Sequence, residues 1–233
     1  MGVAGWKKPV KIAIAAAAVC IALLVFAGNA AFLLSSNHYL YSLAAATATP
    51  QNSRAAVDPE TAALISADVV SYVRGWRNMK YASLFSSEEL SHLADVRDKV
   101  ALFKLSFYIL VAATAAAFLT ILAMDKDLRK FVVIFGRALF ASGAIAVAIS
   151  TILFLLSSAN FDASFTVFHK ILFGSSQWQF PSDYLLVNLF TAGFFASFAK
   201  AVVVAAFAEG LALMLVSVVV GKFYNQKATS ISA

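Results

Sequence analysis

Cysteine, histidine and charge are scarce in this sequence of 233 residues. It contains one cysteine, Cys20, and three histidines, and only 13% of its residues are charged. A single cysteine excludes an intrachain disulfide, and because Cys20 lies inside a long apolar segment, its thiol is a poor nucleophile. The sequence also lacks a zinc motif, a P-loop, a dinucleotide-binding glycine pattern and a G-x-S-x-G element. These absences exclude the enzyme classes that such motifs identify.

Apolar residues are abundant instead. They make up 61% of the chain, whereas a soluble domain is about half apolar and about a quarter charged. This composition predicts an all-α integral membrane protein. The net charge of +6 does not indicate nucleic-acid binding, because the basic residues are dispersed and lie mainly beside apolar segments.

Four apolar runs are long enough to cross a bilayer, so we predict a single membrane domain over residues 1–233 with four transmembrane helices. The predicted spans are residues 10–34, 102–124, 131–156 and 185–220. Residues 35–101 and 157–184 form the two longer loops, which we expect to build a helical extracytoplasmic cap, the second loop with an interfacial helix.

Basic residues predict the orientation of these spans. Four spans put both termini on one side of the membrane, and the basic residues that flank the spans fall on that side, which is therefore the cytoplasmic one. They are Lys7, Lys8, Lys11, Lys126, Arg129, Lys130, Lys222 and Lys227. Both long loops then lie outside the cytoplasm.

The first loop ends in a charged segment that leads into the second span. Ser86 and Glu89 have the spacing of a capping box and predict a helix that begins at Ser86 or Ser87. On that helix His92 and Asp95 share a face, so the carboxylate is expected to orient the imidazole. A solvated face with ordinary ion pairs is the alternative interpretation.

The second loop carries another histidine in an aromatic setting. Its helical stripe predicts a short interfacial helix with His169 beside it, at headgroup depth. The stripe consists of Phe161, Phe165, Phe168 and Leu172. Trp178 and Phe180 resemble residues of an aromatic belt, and Asp183 is a candidate for a polar cluster. A satisfied polar tip is the alternative for His169.

Two ionisable residues, Lys200 and Glu209, lie within the fourth apolar run. Charges at that depth favour a functional hypothesis, so a small transporter or a non-catalytic scaffold is one alternative function. A metal-dependent membrane hydrolase is another, with ligands drawn from His92, Asp95, His169 and Asp183, although their spacing matches no metal motif.

Four elements resemble a known family. They are SYVRG at residues 71–75, SEELSHLADVR at 87–97, FHKILF followed by WQF and Asp183 at 168–183, and GFF at 193–195. In order and spacing they are similar to the bacterial lipoprotein intramolecular transacylases, which have four spans. The sequence departs from the family at Thr191 and Ala192, where a Pro-Glu pair is usual, and at Arg97, where lysine is usual.

This resemblance implies an acyltransferase without cofactor or metal in the bacterial cytoplasmic membrane, acting on the extracytoplasmic face. Its substrates would be diacylglyceryl-modified lipoproteins, and membrane lipids would surround the protein. The sn-2 acyl chain would move to the α-amine of the same lipidated cysteine. His92 and His169 match the family's key histidines. One of them would act as general base and acid, and the other would stabilise the oxyanion. The supporting residues would be Tyr72, Asp95, Arg97, Trp178 and Asp183.

Overall fold

The protein is built from α-helices, as seen in a computed structural model that describes residues 8–124, 127–174 and 178–230. Throughout these residues there is no β-strand. The helices are α1 (Lys8–Ser35), α2 (Asn37–Thr47), α3 (Pro59–Val73), α4 (Ser87–Met124), α5 (Leu128–Ala159), α6 (Phe161–Phe173), α7 (Leu185–Leu189) and α8 (Ala192–Ser230).

Four of these helices, α1, α4, α5 and α8, are long and apolar enough to cross a membrane. Large apolar side chains such as Leu119 and Leu215, each 65% exposed, point away from the protein. A soluble protein rarely exposes so much contiguous apolar surface, whereas a bilayer accommodates it. The prediction of an all-α protein with four membrane helices is therefore confirmed. Lys7 and Lys126, used above for orientation, and the side chains of Arg129 and Lys227 lie outside the described part.

Helix α4 is longer than a bilayer core is thick. Its 38 residues span about 57 Å at about 1.5 Å per residue, against about 30 Å of hydrocarbon. Its charged first turns, which include His92, are therefore free to extend beyond the apolar core of the membrane.

The chain divides into two compact units. The first contains residues up to Asn29, Ser106–Leu153 and the residues from Val203 onward. In this unit α5 and α8 approach closely. A Cβ atom at Gly143 would lie only 2.4 Å from the Gly210 carbonyl oxygen. The Ser217 hydroxyl also donates to the Gly136 carbonyl at 2.6 Å. Gly210 therefore serves close helix packing, as small residues commonly do in membranes.

The same unit explains one of the two charges in the fourth apolar run. The side-chain amide of Asn29 in α1 donates to the Glu209 carboxyl at 3.0 Å and to the Val25 carbonyl at 2.9 Å. Glu209 thus has a polar partner on a neighbouring membrane helix. Lys200, which belongs to the second unit, is exposed.

The second unit, Ala30–Leu105 with Phe154–Val202, contains α2, α3, α6 and α7 together with the adjoining ends of the long helices. Its core joins α3 of the first long loop to α7 of the second, through Ile65, Val69, Leu186 and Leu189. Leu93 of α4 belongs to the same buried cluster. The two long loops therefore pack together and form the helical cap.

The fourth apolar run is divided into two helices. The short helix α7 is mostly buried and ends at Leu189, and α8 begins at Ala192. Between them the Thr191 hydroxyl accepts a hydrogen bond from the Phe194 N–H at 3.3 Å. The Asn188 amide donates to the carbonyls of Ser182 and Tyr184 at 2.6 and 2.7 Å and so fixes the approach to α7.

Candidate active site

His169 is held by a short helix with defined ends. Helix α6 begins where the Asn160 side chain accepts the Ala163 N–H at 2.9 Å, and it ends at Gly174, whose φ of 66° is a left-handed conformation that glycine adopts without strain. His169 lies on the inner side of this helix and is only 7% exposed, whereas Phe168 is 53% exposed. Phe168 of the predicted stripe therefore lies on the outer face of the helix, and membrane anchoring by that stripe stays a prediction.

Aromatic rings surround the His169 imidazole. Its ring centroid lies 4.0 Å from that of Phe165, 4.7 Å from Trp178 and 5.6 Å from Phe173. Phe195 of α8 completes the group through Phe165, at 5.2 Å. We call the rings of Phe165, Phe173, Trp178, Phe180 and Phe195 the aromatic enclosure.

A backbone hydrogen bond fixes the tautomer of His169. Its Nδ1 lies 2.9 Å from the Phe165 carbonyl oxygen. A carbonyl only accepts, so Nδ1 must carry the proton, and Nε2 of the neutral ring is left with a free lone pair. Burial lowers the pKa of His169 below its usual value of about 6.5, opposed in part by this hydrogen bond. At neutral pH the ring is therefore an uncharged proton acceptor.

His92 reaches the same enclosure from α4. Its ring centroid lies 4.9 Å from Phe173 and 5.5 Å from Phe180. Phe173 contacts both imidazoles, so one ring joins two histidines that lie far apart in the sequence. His92 is partly buried, and its ring nitrogens make no hydrogen bond to the described residues. They are available to a substrate.

The first turn of α4 is anchored on both sides. The Ser86 hydroxyl accepts the Glu89 N–H at 3.2 Å, and the Glu89 carboxylate accepts the Ser86 N–H at 2.7 Å, which confirms the predicted capping box. The other oxygen of Glu89 accepts the Leu186 N–H of α7 at 2.8 Å. Glu89 is only 3% exposed, so one buried carboxylate fixes the helix that carries His92 against the second loop.

Three of the predicted supporting residues, Asp95, Arg97 and Tyr72, lie on α4 and α3. Asp95 is exposed, and no hydrogen bond or ion pair joins it to His92 among the described residues. Arg97 lies with its guanidinium carbon 4.9 Å from the centre of the Tyr72 ring. This cation–π contact holds Arg97 against α3.

Asp183 belongs to a separate network at the edge of the cap. It forms an ion pair with Arg54, which lowers the pKa of the Asp183 carboxyl. The backbone N–H of Arg54 also donates to the backbone carbonyl of Asp183 at 2.8 Å. Next to it in the sequence, the Tyr184 hydroxyl donates to the Glu88 carboxylate at 2.8 Å. No hydrogen bond connects this network to either histidine within the described ranges. The predicted polar cluster at Asp183 therefore exists, with Arg54 as its partner.

Sequence reasoning missed two residues that build the site. Phe173, the ring shared by the histidines, stands inside the FHKILF element, but its spacing did not distinguish it from the other phenylalanines. Glu89 was recognised as a capping residue, but its bond to Leu186 joins distant parts of the chain and has no local signal. Throughout the part that the structure describes, no group of three metal-ligating side chains occurs.

The four apolar helices and the histidine-bearing cap define an all-helical protein that is integral to the membrane. A sequence profile of the family described as lipoprotein intramolecular transacylase Lit matches residues 14–195, which is most of the chain. The chain belongs to this family of membrane-embedded transacylases.

Solved structures agree with this fold. The membrane-integral lipoprotein intramolecular transacylase Lit from Bacillus cereus superposes with a TM-score of 0.73 and 17% identity, over 93% of this chain and 98% of that one. A variant of that enzyme with a histidine changed to arginine gives a TM-score of 0.66 and 16% identity, over 94% of each chain. A variant with histidine changed to alanine gives 0.66 and 16%, over 93% of this chain and 96% of that one. Among proteins with curated functions, none matches the sequence.

Proposed function

We propose that this protein moves the sn-2 acyl chain of a diacylglyceryl-modified lipoprotein to the α-amine of the same lipidated cysteine. The observation that carries the proposal is that two imidazoles, those of His92 and His169, both contact Phe173 in the aromatic enclosure. Nucleophile and ester are parts of one substrate molecule, so the enzyme needs to position them and move protons rather than supply a nucleophile.

His169 is the general base in this proposal. Its Nδ1 is committed to the Phe165 carbonyl, so Nε2 is the atom that accepts a proton. A free α-amine titrates near about 7.7–8.0 and is mostly protonated at neutral pH, which makes a base useful. The ammonium form first loses its extra proton to water; as the neutral amine then attacks the ester carbonyl carbon, its second proton passes to Nε2. The same nitrogen returns it to the glycerol oxygen when the carbon–oxygen bond breaks.

His92 stabilises the negative charge on the carbonyl oxygen in the tetrahedral intermediate. Its ring nitrogens make no hydrogen bond to the described residues, and it contacts Phe173, the ring that also contacts His169. The aromatic enclosure holds the acyl chain and keeps water away from the reacting ester. Arg97, fixed by Tyr72, lies on the same helix as His92 and is available to polar groups of the lipid. Asp95 contributes only through its charge.

The proposed surroundings follow from the charges beside the spans. The described basic residues Lys8, Lys11, Lys130 and Lys222 favour cytoplasmic termini in the bacterial cytoplasmic membrane. The cap with both histidines then faces the extracytoplasmic side, where lipidated lipoproteins lie in the outer surface of that membrane. Membrane lipids surround the four spans.

The test is expression in a bacterial strain that lacks lipoprotein N-acylation. Substrate and product are isomers, so tandem mass spectrometry of the N-terminal lipopeptide must locate the acyl group by its fragments. We expect the acyl group on nitrogen with the wild-type chain, and a loss of about 10²-fold or more in His92→Ala and in His169→Ala. The exposed His38→Ala is the matched control and should retain activity.

A further variant isolates the base. His169→Asn keeps a donor near the position of Nδ1 but has no basic nitrogen, so it should fold and remain inactive. Substantial transfer by both alanine variants, or an acyl group that stays on glycerol with the wild-type chain, would overturn the proposed function.

A further inference from the structure

Trp178 has a buried hydrogen-bond donor with no partner among the described residues. Its indole Nε1 is inaccessible to solvent and makes no hydrogen bond to any of them. The indole nitrogen only donates, and buried donors in folded proteins are nearly always paired. An unpaired donor of this kind therefore calls for an explanation, and a substrate acceptor is one.

The surroundings of Trp178 point to the candidate active site. Its ring centroid lies 4.7 Å from that of His169, with 34° between the planes, and 6.2 Å from that of Phe165. Within the enclosure, His169 presents an acceptor at Nε2, because its Nδ1 is engaged, and Trp178 presents a donor. No hydrogen bond joins the two groups among the described residues, so the donor of Trp178 has no acceptor in its own surroundings.

We propose that the Trp178 Nε1–H donates a hydrogen bond to the carbonyl oxygen of the acyl group that is transferred, and stabilises the oxyanion of the tetrahedral intermediate. This inference rests on the proposed function and gives its oxyanion site a second donor beside His92. Trp178 is thereby a catalytic residue and more than a wall of the acyl-chain site.

The chemistry explains why a neutral donor is useful here. As the new nitrogen–carbon bond forms, the carbonyl π electrons move to oxygen and create a negative charge. The electron pair on the oxyanion then re-forms the carbonyl, and the carbon–oxygen bond to glycerol breaks. The glycerol oxygen keeps the electrons of that bond and takes the proton from His169. The indole N–H remains attached throughout, and its hydrogen bond is strongest to the charged oxygen, so it lowers the barrier more than it tightens substrate binding.

The test removes the N–H and keeps the ring. Trp178 is replaced by 3-benzothienylalanine, which has sulfur in place of the indole nitrogen, and in a second variant by phenylalanine. Both proteins are assayed with a synthetic diacylglyceryl-cysteine peptide in detergent–lipid micelles. We expect kcat to fall by about 10²–10³-fold in both variants, with KM changed by less than about threefold in the benzothienylalanine variant, which keeps the shape of the ring. Trp76→Phe, which alters an exposed tryptophan of the same unit, should behave as wild type.

The outcomes separate this inference from the proposed function. A benzothienylalanine variant with wild-type kcat, or with a raised KM alone, would overturn the donor role while the wild-type chain still transferred the acyl group. A wild-type chain that left the acyl group on glycerol would overturn the proposed function itself. A spectroscopic readout adds to this test, since the indole N–H Raman band of Trp178 should shift on binding an N-acetylated, unreactive lipopeptide.

Discussion

Replacing Glu89 with alanine should destabilise the start of α4 and the second loop together. The Glu89 carboxylate is 3% exposed and accepts two backbone N–H groups, from Ser86 at 2.7 Å and Leu186 at 2.8 Å. Hydrogen bonds to a charged group contribute about 1.5–3 kcal/mol each. Because the Ser86 N–H regains some solvent when its partner is lost, we expect a total loss of roughly 3–5 kcal/mol in the free energy of unfolding.

The neighbouring residue provides the matched control. Glu88 is exposed and, among the described residues, bonds only to the Tyr184 hydroxyl, so Glu88→Ala should change stability little. Unfolding of both variants is followed by denaturant titration in mixed micelles, and the acyl-transfer rate is measured on the same samples. Transfer should also fall in Glu89→Ala, since α4 carries His92. Equal stabilities of the two variants would refute the anchoring role of Glu89.

Three further predictions concern the base, a supporting contact and the helix packing. Since burial lowers the pKa of His169, its neutral form persists below about pH 6.5. The value of kcat/KM should therefore rise with pH as the substrate amine loses its proton, near about pH 7.7–8.0. A main rise between about pH 6 and 7 would contradict this. Tyr72→Leu should cost roughly 0.5–2 kcal/mol of stability by removing the cation–π contact with Arg97, and no loss in chemical denaturation would count against that contact. Gly143→Ala should lower the free energy of unfolding by about 1–3 kcal/mol, because the added carbon would lie 2.4 Å from a backbone oxygen of α8. In the control Gly28→Ala the added carbon meets nothing within 4 Å, so the same assay should show no loss or a gain in stability.

The membrane helices and the helix starts were predictable because their signals are local. Four long apolar runs give four candidate spans, and the Ser86–Glu89 spacing predicts the cap that begins α4. Both features depend on neighbours within a turn or a few turns of helix. The two histidine motifs were likewise visible as short sequence elements.

The assembly of the site was less predictable because it depends on contacts between distant segments. On α6, the series through Phe168 and the series through His169 both fit helical spacing, and only the packing against Trp178 and Phe195 decides which face is buried. The partner of Asp183 had no local signal either, since Arg54 comes from the other long loop.

The role of Gly210 also depends on helix packing. Helix α8 continues through Gly210, and the missing side chain lets α5 approach. A close approach of two helices is invisible in either sequence segment alone.

The most direct test of acyl transfer within one substrate molecule is a crossover experiment. Two lipopeptides are mixed, one with deuterated acyl chains on an unlabelled peptide and the other with ordinary acyl chains on a heavy-isotope peptide. The purified protein acts on the mixture, and tandem mass spectrometry pairs each N-linked acyl group with its peptide. Transfer within one molecule predicts that every product keeps its original pairing, whereas a substantial share of deuterated chains on the heavy peptide would contradict it.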